Sequence, residues 1–155
     1  MKSTYAETVV PLAPAAALAL WSDPARWQTF VEGFARVLER SGEWPAEAGR
    51  VVWESTPGGR GRVTEKVVEH ASDRFATQVF EDALVGVQRL IVAPDGDHSR
   101  VRLELEYTLN RYGPFQAAAD ALFIRRALRD ALRRTVARFR VEAEEEAGLR
   151  ESGLR

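Results

Sequence analysis

Residues 115–147, FQAAADALFIRRALRDALRRTVARFRVEAEEEA, contain no glycine and no proline. They are built mainly from alanine, leucine, arginine and glutamate, all good helix formers. As one helix they would make a rod of roughly 48 Å. Ala121, Ile124, Leu128, Leu132, Val136 and Phe139 recur at three- and four-residue steps. One stripe of the rod is therefore apolar and must be covered. Gly113-Pro114 stands just before it and gives it a sharp start.

The cover is readable upstream. Val101, Leu103, Leu105, Tyr107 and Leu109 alternate with Arg102, Glu104, Glu106, Thr108 and Asn110. That is a strand with one dry face and one wet face. Pro94-Asp95-Gly96-Asp97 before it is the clearest hairpin turn in the chain. Further strands are predicted over Thr4–Val10, Arg50–Thr56, Arg62–Ala71, Arg74–Glu81 and Leu84–Ala93. Between the first two lie helical signals. Pro14 to Trp21 is a short helix with proline in its first turn, and Asp23-Pro24 can cap and start another. Trp27, Phe30, Val31 and Phe34 share a face of that second helix. Its end is ambiguous, because the spacing runs on to Leu38 while Gly33 favours an earlier stop. A sheet wet on one side needs a single cover on the other, and only the long helix is large enough.

Size and composition narrow the function. With 155 residues the chain is expected to be one domain, over 1–147, with a flexible tail over 148–155. Apolar residues make up 45 %, enough for a core. The formal net charge of -1 gives the whole molecule no strong pull on nucleic acid or membranes. There is no cysteine, which excludes disulfides, thiolate nucleophiles and cysteine metal sites. Two distant histidines do not make a zinc site. PGGRG at 57–61 lacks the Gly-Lys-Ser/Thr end of a phosphate loop. Neither a cofactor nor a metal is expected. No signal-peptide pattern or membrane-spanning run is present, so the expected location is cytoplasmic.

Several segments together resemble the START-like (SRPBCC) superfamily of polyketide cyclase/dehydrase and lipid-transport proteins. The opening LAPAAALALWSDPARWQTFVEGF, the glycine-started strand Gly49-Arg50-Val51-Val52-Trp53, the late hairpin PDGDHSRVRLELEY and Gly113-Pro114 carry the likeness, which spans Ala6 to about Val141. The resemblance implies an α+β helix-grip fold. A seven-stranded curved antiparallel sheet would wrap a long C-terminal helix, with two short helices after the first strand. It also implies a strand at about Ala35–Ser41, the seventh. It further implies a cavity between the sheet and the first turns of the helix.

Phe115, Ala118, Ala119 and Leu122 cluster at one azimuth, and the apolar stripe rotates from Ile124 onward. The first half of the helix is therefore expected to face the cavity mouth and the second half to pack flat. Trp27, Phe30, Trp53, Tyr107, Phe115, Leu122 and Phe123 are the apolar candidates for the lining, suited to stacking on a flat molecule. Glu65, Gln88 and Arg89 are the polar ones. Gln88 and Arg89 fall on opposite faces of one strand, so one of them should face the dry side.

The expected partner is a small hydrophobic ligand, lipid-like or aromatic and polyketide-like. A homodimer is compatible with the sequence, and nucleic acid is disfavoured. The alternative function is a cyclase or dehydratase. That branch of the family uses an inward arginine and aromatic residues on its middle strands, and GRVTEKVVEH at 61–70 lacks those aromatics. A second alternative is a protein or RNA partner on the arginine-rich helix face, where Arg126, Arg129, Arg133 and Arg140 form a stripe.

Overall fold

The computed structural model describes residues 1–110 and 117–154, with the backbone alone for 117–121. The elements are β1 (Lys2–Val10), α1 (Pro14–Trp21), a 3-10 turn (Pro24–Arg26), α2 (Trp27–Phe30), β2 (Phe34–Ser41), β3 (Arg50–Ser55), β4 (Arg62–His70), β5 (Arg74–Phe80), β6 (Leu84–Asp95), β7 (His98–Leu109) and α3 (Ala117–Glu151). The seven strands form one antiparallel sheet in the order β1-β7-β6-β5-β4-β3-β2. β2 to β7 follow one another as neighbours, and β1 closes onto β7. This is the helix-grip arrangement of a curved antiparallel sheet and one long C-terminal helix, with α3 packed against the β1 edge.

Local chemistry explains the elements. Pro14 opens α1, and Asp23 accepts a hydrogen bond from the Ala25 N–H at 3.1 Å to start the next turn. The second helix is shorter than the apolar spacing allows. It stops at Phe30, and Gly33, at φ +72°, redirects the chain into β2. That agrees with a strand in this region. β6 and β7 are joined through a two-residue loop, Gly96-Asp97, with Asp95 paired to His98.

The dry face of the sheet carries Trp53, Val63, Val67, Phe75, Val79, Leu84, Leu90, Leu103 and Tyr107, all buried. The wet face of β7 is covered by ion pairs: Arg102 lies 2.6 Å from Glu104 and 3.0 Å from Glu7. Gly86 sits in the dry-face row between Val79 and Tyr107. A Cβ there would lie 2.3 Å from the Glu106 carbonyl oxygen, so only glycine fits the close approach of β6 to β7.

α3 is fastened near its middle and C-terminal half. Phe139 is fully buried against Phe30 (centroids 5.1 Å apart) and Trp21 (5.4 Å). Val136 and Ala143 are buried on the same side. Arg26 bonds Glu142 and, at 3.2 Å, Glu146; Glu32 holds Arg134 at 3.0 Å and Arg138 at 2.8 Å. The helix runs through Gly148 to Glu151, so the boundary expected at 147 falls inside it. The Arg150–Glu146 pair, one turn apart at 3.3 Å, spans that point. Among the described residues no helix is long and apolar enough to cross a membrane.

Candidate functional site

Between α3 and the dry face of the sheet lies a cavity of about 760 Å³. On the sheet side it is lined by Trp53, Glu65, Gln88, Leu103 and Leu105, and on the helix side by Ile124, Leu128, Leu132 and Thr135. Trp21 and Trp27 from the short helices close one end. The β3–β4 loop (Thr56–Gly61), the β5–β6 turn (Glu81–Ala83) and Val31–Gly33 after α2 also contribute.

The register of the sheet decides which polar groups point in. Val51 of β3 pairs Glu65, and Glu65 pairs Val79 of β5, which places Glu65 in a dry-face row. Thr77 pairs Val67 on one side and Gln88 on the other. Glu65, Thr77 and Gln88 thus make a short polar track across an apolar wall. Glu65 is only 6 % exposed. Its Oε2 accepts from the Trp53 indole N–H at 2.7 Å, and its Oε1 accepts from the Thr77 hydroxyl at 2.9 Å. Burial pushes the Glu65 carboxyl up; the bonds from Trp53 and Thr77 and the positive charge of Arg60 pull it partly back.

A second polar pair stands beside it. Arg60, on the glycine-flanked loop, donates to Glu81 Oε2 at 2.5 Å and lies 4.9 Å from the centre of the Trp53 ring. The Glu81 side chain is 3 % exposed. The Gly61 N–H donates to Ser55 Oγ at 2.9 Å, which ties the loop to the end of β3. Trp53 therefore touches both an acid and a guanidinium. Such a wall can offer a ligand the Glu65 carboxyl, the amide of Gln88 and a positive charge at the rim.

The residues singled out in the sequence divide in three. Trp27, Trp53, Glu65 and Gln88 come together on the cavity. Phe30 and Tyr107 are buried elsewhere: Phe30 in the aromatic cluster under α3, and Tyr107 in the sheet row beside Gly86. Among the described residues the Tyr107 hydroxyl meets no hydrogen-bond partner, and burial pushes it up, against an opposing pull from Arg125. Arg89, Leu122 and Phe123 are not in the cavity lining. Arg89 points to the wet face and pairs Glu106 at 3.1 Å, because Gln88 takes the dry side. Leu122 and Phe123 are 54 % and 73 % exposed, since the azimuth that faces the sheet is that of Ile124, Leu128 and Leu132. Among the described residues the helix side of the cavity is Ile124–Thr135, and Val136, Phe139 and Ala143 beyond it are buried. Phe115 lies outside the described residues.

Sequence reasoning missed Arg60, Glu81 and Trp21. A lone arginine between glycines in a turn carried the one usable signal for Arg60. Among the described residues no group of three or more histidine, aspartate or glutamate side chains could hold a metal ion.

Comparison with known proteins fixes the class. Residues 1–144 match the family described as polyketide cyclase / dehydrase and lipid transport, and the chain belongs to that family. No curated protein matches the sequence. Solved structures with the same fold include TTHA0849 from Thermus thermophilus, at 16 % identity and TM-score 0.69, covering 92 % of this chain and 97 % of that one. Another is the Zhui aromatase/cyclase from Streptomyces sp. R1128, at 12 % identity and TM-score 0.71, covering 96 % and 94 %. A third is a norcoclaurine synthase point mutant from Thalictrum flavum bound to a transition-state analogue, at 15 % identity and TM-score 0.66, covering 92 % and 93 %. At these identities the likeness is one of fold.

Proposed function

We propose that this chain binds a small, mostly apolar ligand, lipid-like or aromatic and polyketide-like, in the cavity between the sheet and α3. One observation supports the reading: a hollow of about 760 Å³ whose wall combines Trp27, Trp53, Leu103, Leu105, Ile124 and Leu128 with a few polar side chains, Glu65 and Gln88 on the sheet and Arg60 and Glu81 at the turns. A cavity of that size suits a compact organic molecule, and a few convergent polar groups orient it. Trp27 and Trp53 supply flat surfaces for stacking. Glu65 and Gln88 would meet the polar end of the ligand, and Arg60 an oxygen at the rim. Native mass spectrometry of the purified protein tests this, alone and with candidate lipids and aromatic ketones. Retention of a compound by the wild type and its loss from Leu128→Trp, which fills the hollow, is the expected result. Equal retention by both proteins removes the cavity from the explanation.

A second reading, an enzyme of the cyclase or dehydratase type, is favoured by the state of Glu65. A carboxyl raised by burial and aimed at a ligand site is suited to proton transfer. It could protonate a carbonyl oxygen, or a hydroxyl that departs as water, and take a proton back afterwards. Turnover of a polyketide mimic that is lost in Glu65→Gln while binding persists would support it. Unchanged turnover in that variant would end it.

A further inference from the structure

A second hollow, of about 830 Å³, lies on the other side of α3, between the helix and β1. Its helix wall is Leu122, Arg125, Arg126, Arg129, Arg133, Val136 and Ala137. Its other wall is Ser3, Thr4, Tyr5, Ala6, Glu7 and Thr8. Six consecutive residues of a strand can line one groove only if the backbone edge faces it, because either face alone would show every second residue. β1 is an edge strand, paired only to β7. Its outward N–H and C=O groups have no strand partner among the described residues.

The two edges of the sheet differ. β2 shifts register twice against β3, between Phe34 and Arg36 and between Val37 and Glu39. β1 pairs β7 without a break from Lys2 to Val10. A regular ladder can be extended by another strand; a bulged one resists it.

The arginines are exposed and nearly free. Among the described residues Arg125, Arg126 and Arg133 make no ion pair, and Arg129 reaches only its neighbour Asp130, at 3.9 Å. Among the described lining residues Glu7 is the only acid, and it is held by Arg102 at 3.0 Å. Arg125, Arg129 and Arg133 rise along the helix by about 6 Å per step. Alternate residues of a strand are about 6.6 Å apart. The two repeats nearly match.

We propose that this groove takes an extended acidic peptide from a partner protein, which adds as a strand on the free edge of β1. Its backbone completes the ladder, and carboxylates at every second position meet Arg125, Arg129 and Arg133. Leu122, half-exposed at one end, offers an apolar contact for the peptide end. A second copy of this chain is a poor occupant of the same edge, since pairing β1 with β1 would set two arginine stripes against each other. The proposal is independent of the ligand cavity.

The test uses the full-length chain and a fluorescent synthetic peptide that alternates glutamate with threonine. Anisotropy should show binding that weakens with salt. Arg129→Glu with Arg133→Glu should weaken it about tenfold or more, with the melting curve of the variant confirming its fold. In the wild type, amide hydrogen exchange should slow at residues 3–8 when the peptide is added. A control peptide with proline at alternate positions keeps charge but cannot pair, and should bind poorly. Equal binding of the proline peptide, or no protection of β1, overturns the proposal. So does tighter binding of an RNA oligonucleotide or of phosphatidylserine vesicles, or self-association through β1 with no peptide present.

Discussion

The indole nitrogen of Trp53 on β3 donates to Glu65 Oε2 on β4 across 2.7 Å, although the residue directly opposite Trp53 is Val63. The bond therefore runs diagonally across the dry face, and it holds a carboxyl that is only 6 % exposed. Its consequence is a pH-dependent stability with a definite sign. Burial raises the folded-state pKa of Glu65 above its unfolded value. The protein binds that proton more tightly folded than unfolded. The contribution is full below the ordinary glutamate value of about 4.3 and is lost as pH rises through the folded-state pKa. Thermal melts of the wild type and Glu65→Gln across this range should show the wild type falling relative to the variant as pH rises. Parallel curves would mean that Glu65 is ionised in the fold as it is in water.

Trp53→Phe sharpens the same point. The indole bond stabilises the ionised carboxyl, so its loss should move the Glu65 titration further up. Carboxyl-selective NMR titration of the variant and the wild type reads this directly. A downward move would show that the bond serves the protonated form.

Phe139→Ala should destabilise the fold by about 3–5 kcal/mol, the range for removing a fully buried phenylalanine. The ring is 0 % exposed and is clamped between Trp21 and Phe30. Denaturant unfolding measures it. A loss well under about 1 kcal/mol would mean that α3 is not fastened through this ring.

Gly86→Ala should cost at least about 1–3 kcal/mol through overpacking, because the obstacle is backbone and cannot rotate away. The expected readout is a lowered melting temperature with β6–β7 amides exchanging faster. A neutral result would show that the two strands can part locally.

Much of the architecture could be read in advance because periodicity reports burial. The ten-residue alternation over Val101–Asn110 gave β7 its dry face, and Val101, Leu103, Leu105 and Tyr107 are all buried. The resemblance of the opening segment supplied β2, whose exposed residues carry almost no pattern. The site was less legible. On β6 the residues of both faces are apolar around Gln88 and Arg89, so alternation could not choose between them; the pairing of Gln88 with Thr77 did. On α3 the expected lining fell on Leu122 and Phe123, early in a helix whose apolar residues occupy more than one azimuth. Which azimuth meets the sheet is set by the Phe139 clamp, a contact between residues more than a hundred positions apart. Arg60 and Glu81 come from separate turns, and no local pattern joins them.

All four tryptophans of the chain are buried, at 5 % exposure or less, and Trp21, Trp27 and Trp53 stand on the cavity itself. The molecule therefore carries its own optical reporter. Its ultraviolet-excited emission arises almost wholly from the neighbourhood of one hollow, so a guest arriving there should shift colour or brightness without any dye attached. A spectrometer and a panel of compounds are enough to begin a search for what this protein holds.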